Sequence, residues 1–329
     1  MLGAKGKPNY FELVDVPKDS ISGLTFHPVE PDVLLATSWD ESAYIYQVSS
    51  NKCIAKATLT SPILSGVFNP LDSSSAFLGD LDGNVYAIQQ NKKSNIGKHR
   101  DGVQSLCVIR QHTLASGSWD SSVLLFDSRT FEKPNSISLA GPLYTMDAAE
   151  YNLVVGLADR HIHIYDIRNP SQPVQKRESS LKYQTRAIKC FPHGYICSSI
   201  EGRVAVEYFE NNGQLRYAFK CHRQEVQAGE EMVHSVNAVA VHPGRQTTFA
   251  TGGSDGNVFM WDLEHKKRIK HLSPTQISPG VSALAFSPDG GSLAIASSHC
   301  FERGQDASSS PVRILIRRLS DSDISLKKI

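Results

Sequence analysis

The sequence predicts an all-β chain closed into a seven-bladed propeller, and three observations predict it. Six times a short apolar run ends in small residues, then an acid, then a second run of strand-forming residues, the acids being Asp40, Asp82, Asp120, Asp159, Glu201 and Asp255. Successive acids are 42, 38, 39, 42 and 54 residues apart, and a period near ~40 marks a radially repeated four-stranded unit. β-branched and aromatic residues recur in short runs broken by Gly, Asp, Ser or Asn, and no stretch of helical period competes with them.

The first unit reads Leu34-Leu35-Ala36-Thr37-Ser38-Trp39-Asp40, followed by Ala43-Tyr44-Ile45-Tyr46. In the third, residues 105–109, 114–117 and 123–126 are successive strands, with Trp119-Asp120-Ser121-Ser122 as the turn between the second and third. An acidic side chain there accepts hydrogen bonds from turn amides that no ladder satisfies. Aspartate also follows the last of these strands in Phe126-Asp127, Tyr165-Asp166 and Trp261-Asp262, the dipeptide after which WD repeats are named. A seventh unit runs through 281–286, 293–296 and 312–316, with a polar insertion, 302–311, in place of its turn. That unit lacks an outermost strand, whereas residues 10–14 form a strand without a unit. The N-terminal strand is therefore expected to complete the last blade and remove its open edge. The reading is one seven-bladed WD-repeat propeller over residues 1–329.

Charge and composition narrow the function. With 34 basic and 33 acidic residues the net charge is +1, which predicts no general affinity for nucleic acid or anionic membrane, so a charged site has to be local. The first residues lack the apolar core of a signal peptide and no apolar run approaches the ~20 residues that span a bilayer, so a soluble, intracellular protein is expected. The six cysteines are dispersed without a CxxC pair, which fits reduced thiols rather than a disulfide frame or a zinc site. No nucleophile elbow, phosphate-cradling glycine loop or HExxH is present, so no catalytic residue, metal or cofactor is assigned. His161 and His163 read as polar positions on a half-exposed strand. His99 and His222 read as members of a structural hydrogen-bond network.

Two features point to a binding surface. The residues before the turn acids are Trp39, Leu81, Trp119, Ala158, Ile200 and Ser254; turn tips are commonly polar, so this series predicts an apolar surface around the channel, anchored by two tryptophans. The second feature is a set of bases at related points of adjacent repeats. Arg186 precedes a first strand, Arg203 follows that blade's turn and Lys220 precedes the next blade, so the three are expected to converge on one sector of rim. Convergent Arg and Lys suit a carboxylate or phosphate.

At these residues the chain resembles a known family. Glu178-Ser-Ser-Leu-Lys-Tyr-Gln-Thr-Arg186, Ser198-Ser-Ile-Glu-Gly-Arg-Val-Ala-Val-Glu-Tyr208 and Tyr217-Ala-Phe-Lys-Cys-His-Arg223 are similar to the spindle-assembly (mitotic) checkpoint WD-repeat family, small propellers that escort checkpoint kinases. Ser38-Trp-Asp40, Gly117-Ser-Trp-Asp120, Ala250-Thr-Gly-Gly-Ser-Asp-Gly256 and Leu293-Ala-Ile-Ala-Ser-Ser298 support it. The sister family, the mRNA-export propeller of the nuclear pore, carries proline where Ser180 stands and histidine where Thr185 stands. The resemblance implies a non-enzymatic, monomeric adaptor working in hetero-complexes, in the nucleus and at kinetochores with a cytoplasmic pool. Its implied partners are a checkpoint kinase or pseudokinase segment gripped at Trp39, Trp119 and Arg186, and a kinetochore scaffold whose phosphorylated Met-Glu-Leu-Thr motifs meet Arg203 and Lys220. A checkpoint complex that inhibits a ubiquitin ligase is a further implied partner, and direct contact with nucleic acid or membrane is not implied. Residues 62–68, 141–144 and His234-Ser235 depart from the family pattern, and no role is assigned to the loop 224–233 or the insertion 302–311.

Overall fold

Residues 10–326 are described by the structure, a computed structural model, except 73, 90, 91, 111, 133, 134, 211–215, 228, 273–279 and 301–310. Seven four-stranded antiparallel sheets form the blades, each in simple up-and-down order from the channel outward. The innermost strands are Ile21–Phe26, Ile63–Phe68, Val103–Ile109, Leu143–Ala149, Thr185–Phe191, Val236–Val241 and Val281–Phe286. The aspartates at 127, 166 and 262 end third strands, and a fourth, outer strand follows each. Most of the insertion at 302–311 lies outside the described residues.

The seventh blade closes as expected. Strand Tyr10–Glu12 pairs with Arg313–Arg318 through Tyr10 opposite Arg317, Phe11 opposite Ile316 and Glu12 opposite Leu315. Beyond the ladder, the Leu13 amide donates to the Ile314 carbonyl at 2.9 Å. The short C-terminal helix Asp321–Ile324 pins this seam: its fully buried Asp323 accepts from Arg317, 3.1 Å away, and from Lys270 on the outer strand of blade six. Arg317 in turn stacks on the Tyr10 ring at 4.6 Å.

The core is a set of wedges between blades rather than one central mass. Between blades two and three, Phe77, Val85, Val103, Leu114 and Phe126 are almost completely buried together, and truncating a ring such as Phe126 to alanine costs about 3–5 kcal/mol at sites of this kind. Small residues let the wedges close. A Cβ on Gly97 would lie 2.6 Å from the Phe126 ring.

One hydrogen bond recurs in every blade. The amide at the top turn donates to the carbonyl just before or at the start of the innermost strand: Trp39 to Ser20, Leu81 to Pro62, Trp119 to Gly102, Ala158 to Pro142, Ile200 to Gln184, Ser254 to Ser235 and Ser298 to Gly280, at 2.9–3.2 Å. Seven repetitions of one bond fix seven turns at one height, and so define the top face.

Candidate partner-binding face

On that face the channel opens into a cavity of about 530 Å³. Every innermost strand carries a β-bulge at its second position, where the register slips by one residue. The extra residues are Ser22, Leu64, Gln104, Tyr144, Arg186, Asn237 and Ser282, and all seven line the cavity. A bulge re-aims a side chain that the pleat would otherwise direct into a blade interface. Arg186 is the only Arg, Lys, Asp or Glu among the described residues lining the cavity. It is exposed, and its Nη2 donates to Asn237 Oδ1 at 3.2 Å.

Trp39 and Trp119 line the same cavity, so three of the five candidate residues expected from the sequence come together there. Trp39 is 40% exposed. Trp119 is partly buried and packs against Gly102, where an added Cβ would meet its ring at 2.9 Å. Gly102 is therefore needed for close approach, not for backbone freedom. The apolar ring expected from the turn tips is interrupted: Leu81, Ala158, Ile200 and Ser254 do not line the cavity, although Ile200 is exposed.

The other two bases lie farther out. Blade five consists of Thr185–Phe191, Gly194–Ser199, Arg203–Tyr208 and Tyr217–Lys220. Its top row runs Thr185, Ser199, Arg203, Lys220 in cross-strand register. Arg203 and Lys220 are direct neighbours on one face of the sheet, while Arg186 sits two strand spacings from the first and three from the second, on the order of 10 and 14 Å. The expected convergence thus holds for the outer pair, and Arg186 belongs to the channel mouth. Lys220 lies on the fourth strand of blade five, not in the approach to the next blade.

Sequence reasoning missed a hairpin beside this pair. The segment read as a loop at 224–233 is two strands, Arg223–Gln227 and Glu230–Val233, turning near Gly229 at φ 88°. Only a residue free of Cβ crowding takes that backbone readily, and a glycine between two short runs is a hairpin signal that was there to be read. Arg223 donates to the Glu201 carbonyl at 2.8 Å and to Glu231 Oε2 at 2.8 Å. Lys220 Nζ is 3.5 Å from the same Glu231 oxygen, and Arg203 Nε is 3.8 Å from Glu201 Oε2.

The histidines belong to the scaffold. His222 is fully buried between Asp255 Oδ1 at 2.8 Å and Thr251 Oγ1 at 2.9 Å, and Trp261 Nε1 donates to the same Thr251 oxygen at 2.9 Å. His99 bridges Ser116 and Asp120 likewise. Burial drives the His99 pKa down. For Asp120 burial pulls upward, but bonds from Ser122, the Arg100 amide and His99 outweigh it and hold the carboxyl below its usual range. Blade two corrects the expected pattern. Asp82 is exposed, and the acid that binds the turn is Asp80, fully buried, which accepts from the Asn84 amide at 2.7 Å. His163 is buried rather than half exposed, whereas His161 is exposed and pairs with Asp159 at 2.8 Å. Among the described residues no group of three or more His, Cys, Asp or Glu could hold a metal ion.

Two stretches, 90–127 and 229–262, match the WD domain, G-beta repeat family. They contain Asp120 and Asp255, the two turn acids that engage a buried histidine. The solved structure of U3-55K superposes with a TM-score of 0.81 over 95% of this chain and 100% of that chain at 17% identity, a likeness of fold alone. The mitotic checkpoint protein BUB3.1 of Arabidopsis thaliana is 40% identical over 96% of this chain and 94% of its own length. The mitotic checkpoint protein bub-3 of Caenorhabditis elegans is 38% identical over 96% and 95%. The poly(A)+ RNA export protein of Schizosaccharomyces pombe stands further off, at 32% over 95% and 91%. With its seven closed blades and this identity along nearly its whole length, the chain belongs to the mitotic, spindle-assembly checkpoint family of WD-repeat propellers.

Proposed function

We propose that the chain acts as a non-enzymatic adaptor of the spindle-assembly checkpoint, a single propeller with two grips on one face. The channel mouth holds a short, partly acidic segment of a checkpoint kinase or pseudokinase: Trp39 and Trp119 supply apolar anchors and Arg186 the charge. The outer row of blade five reads a phosphorylated Met-Glu-Leu-Thr motif of a kinetochore scaffold through Arg203 and Lys220. The carrying observation is the direct register of Arg203 and Lys220 across two strands, because a phosphate adds a charge of about −2 and three strong acceptors, and two adjacent donors turn that into a switch. Its expected places of work are the nucleus and the kinetochore, with a cytoplasmic pool. Assembly with a ubiquitin-ligase-inhibiting checkpoint complex follows from the same reading.

Calorimetric titration with paired Met-Glu-Leu-Thr peptides, phosphorylated and not, tests it. Selective binding of the phosphorylated form, weakened in Arg203→Ala and untouched in Arg186→Ala, is the expected outcome; equal binding of both forms rejects it. The 32% identity to an RNA export protein motivates one competing reading, a pore-associated factor that engages a nucleoporin segment. Pull-down from mitotic and interphase extracts separates the two, checkpoint kinases being the expected catch.

A further inference from the structure

The hairpin that follows blade five places a carboxylate where a ligand anion would go. Glu231 Oε2 sits 2.8 Å from Arg223 Nη1 and 3.5 Å from Lys220 Nζ, so one oxygen engages two cations of different strands. Lys220 is also the cross-strand neighbour of Arg203. Glu231 is 46% exposed on its side chain and Lys220 54%, which makes the contact cheap to break. Arg223 is better fixed: its side chain is 17% exposed and reaches the Glu201 carbonyl as well.

We infer that the hairpin Arg223–Gln227 and Glu230–Val233 discriminates between anions, with Glu231 as a resident stand-in for phosphate and Arg223 as a third base that the incoming phosphate gains when it displaces that carboxylate. This rests on the phosphate reading of Arg203 and Lys220 given above. A peptide carboxylate, singly charged, exchanges like for like against Glu231 and gains little. A phosphate monoester brings about twice the charge and a third acceptor oxygen, so it wins the exchange. The hairpin thereby sets a threshold that phosphothreonine passes and aspartate or glutamate does not.

The test is titration of wild type, Glu231→Gln and the double variant Glu231→Gln/Arg223→Gln with two peptides, the phosphorylated Met-Glu-Leu-Thr peptide and its counterpart carrying glutamate at the threonine position. Removing the competitor is expected to tighten the phosphopeptide about two- to fivefold, the range of an exposed ion pair. The glutamate peptide gains at least as much, and the salt dependence steepens. Adding Arg223→Gln is expected to reverse the gain, with thermal melting of each variant measured alongside. If wild type selects the phosphopeptide but Glu231→Gln binds it equally or more weakly, the inference is overturned while the adaptor reading stands. If wild type ignores phosphorylation, the wild-type arm alone removes the adaptor reading, and the inference goes with it.

Discussion

Blades six and five satisfy the same top turn with different chemistry. In blade six, the buried His222 and Thr251 join Asp255 and the partly buried Trp261 in one network, and the turn acid is consumed by it. In blade five the corresponding places hold Ser179, Cys197, Glu201 and Glu207. Ser179 accepts from the Leu181 amide at 3.2 Å, and Glu207, in the place of Trp261, is buried 3.7 Å from Arg177. Glu201, with no histidine to hold, accepts from the Lys182 amide at 3.0 Å and stands beside Arg203. A blade whose turn is locked by a buried pair contributes stability. A blade whose turn acid is released has polar groups left to orient a binding surface, and the basic row grows there.

Substitutions can break this division of labour. The largest effect is expected for Asp255→Ala, which leaves the buried His222 Nδ1 without its partner, removes two bonds from Asn257 and costs about 3 kcal/mol of stability; denaturant unfolding should show it, while phosphopeptide affinity of the folded protein stays unchanged. Loss of affinity in step with stability would mean that blade six also shapes the site. Arg203→Ala is the converse experiment. Its side chain is 36% exposed, so the loss on phosphopeptide binding is expected at about 1.5–3 kcal/mol, the range for a bond to a charged group, below what full desolvation would give, with an unchanged melting temperature.

Acid should weaken the scaffold further, and sharpen the contrast. Burial lowers the pKa values of His27, His99, His163 and His242, the last just past the innermost strand of blade six and none in blade five. A histidine whose folded value lies below the ordinary 6.5 takes up its proton more readily when unfolded. Its contribution is therefore complete above that value and is lost as pH falls through the window beneath it. The denaturant midpoint is expected to drop between pH 7 and 5, and a flat profile would rule out neutral buried imidazoles. The smallest effect belongs to Glu201→Gln, which keeps the acceptor to the Lys182 amide but removes the charge beside Arg203. Phosphopeptide affinity should change by less than about 1 kcal/mol, and a larger loss would make Glu201 the chief positioner of Arg203.

Legibility in the sequence followed burial. The three inner strands of each blade are apolar or small, and the runs that announced them, such as 281–286, coincide with the observed strand Val281–Phe286. Apart from the N-terminal strand that closes blade seven, the outer strands were not legible. Lys92–Lys98 is almost wholly exposed and shows no alternation, because ladder bonds to its neighbour hold it rather than packing. The turn acid of blade two was read two residues late for a related reason: Asp80 and Asp82 are equivalent in composition, and only burial tells them apart. Trp39 and Trp119 were singled out by their position in the repeat, whereas that position grouped Arg186 with Arg203 and Lys220, and only the family resemblance set it beside the tryptophans, with which it lines the cavity. Arg223 and Glu231 were missed because Gly229 was not read as a turn, and without the hairpin pairing nothing in the sequence brings the two side chains together.

The seven bulges carry one more consequence. Each presents a single side chain to the mouth from a residue outside the paired register, and the ladder resumes on the next residue. Ser22, Leu64, Gln104, Tyr144, Arg186, Asn237 and Ser282 therefore act as letters on a fixed frame, with Arg186 and Asn237 read together through their hydrogen bond. A lineage can change what the mouth accepts by rewriting one letter in one blade, and the wheel that carries the letters need not be recast.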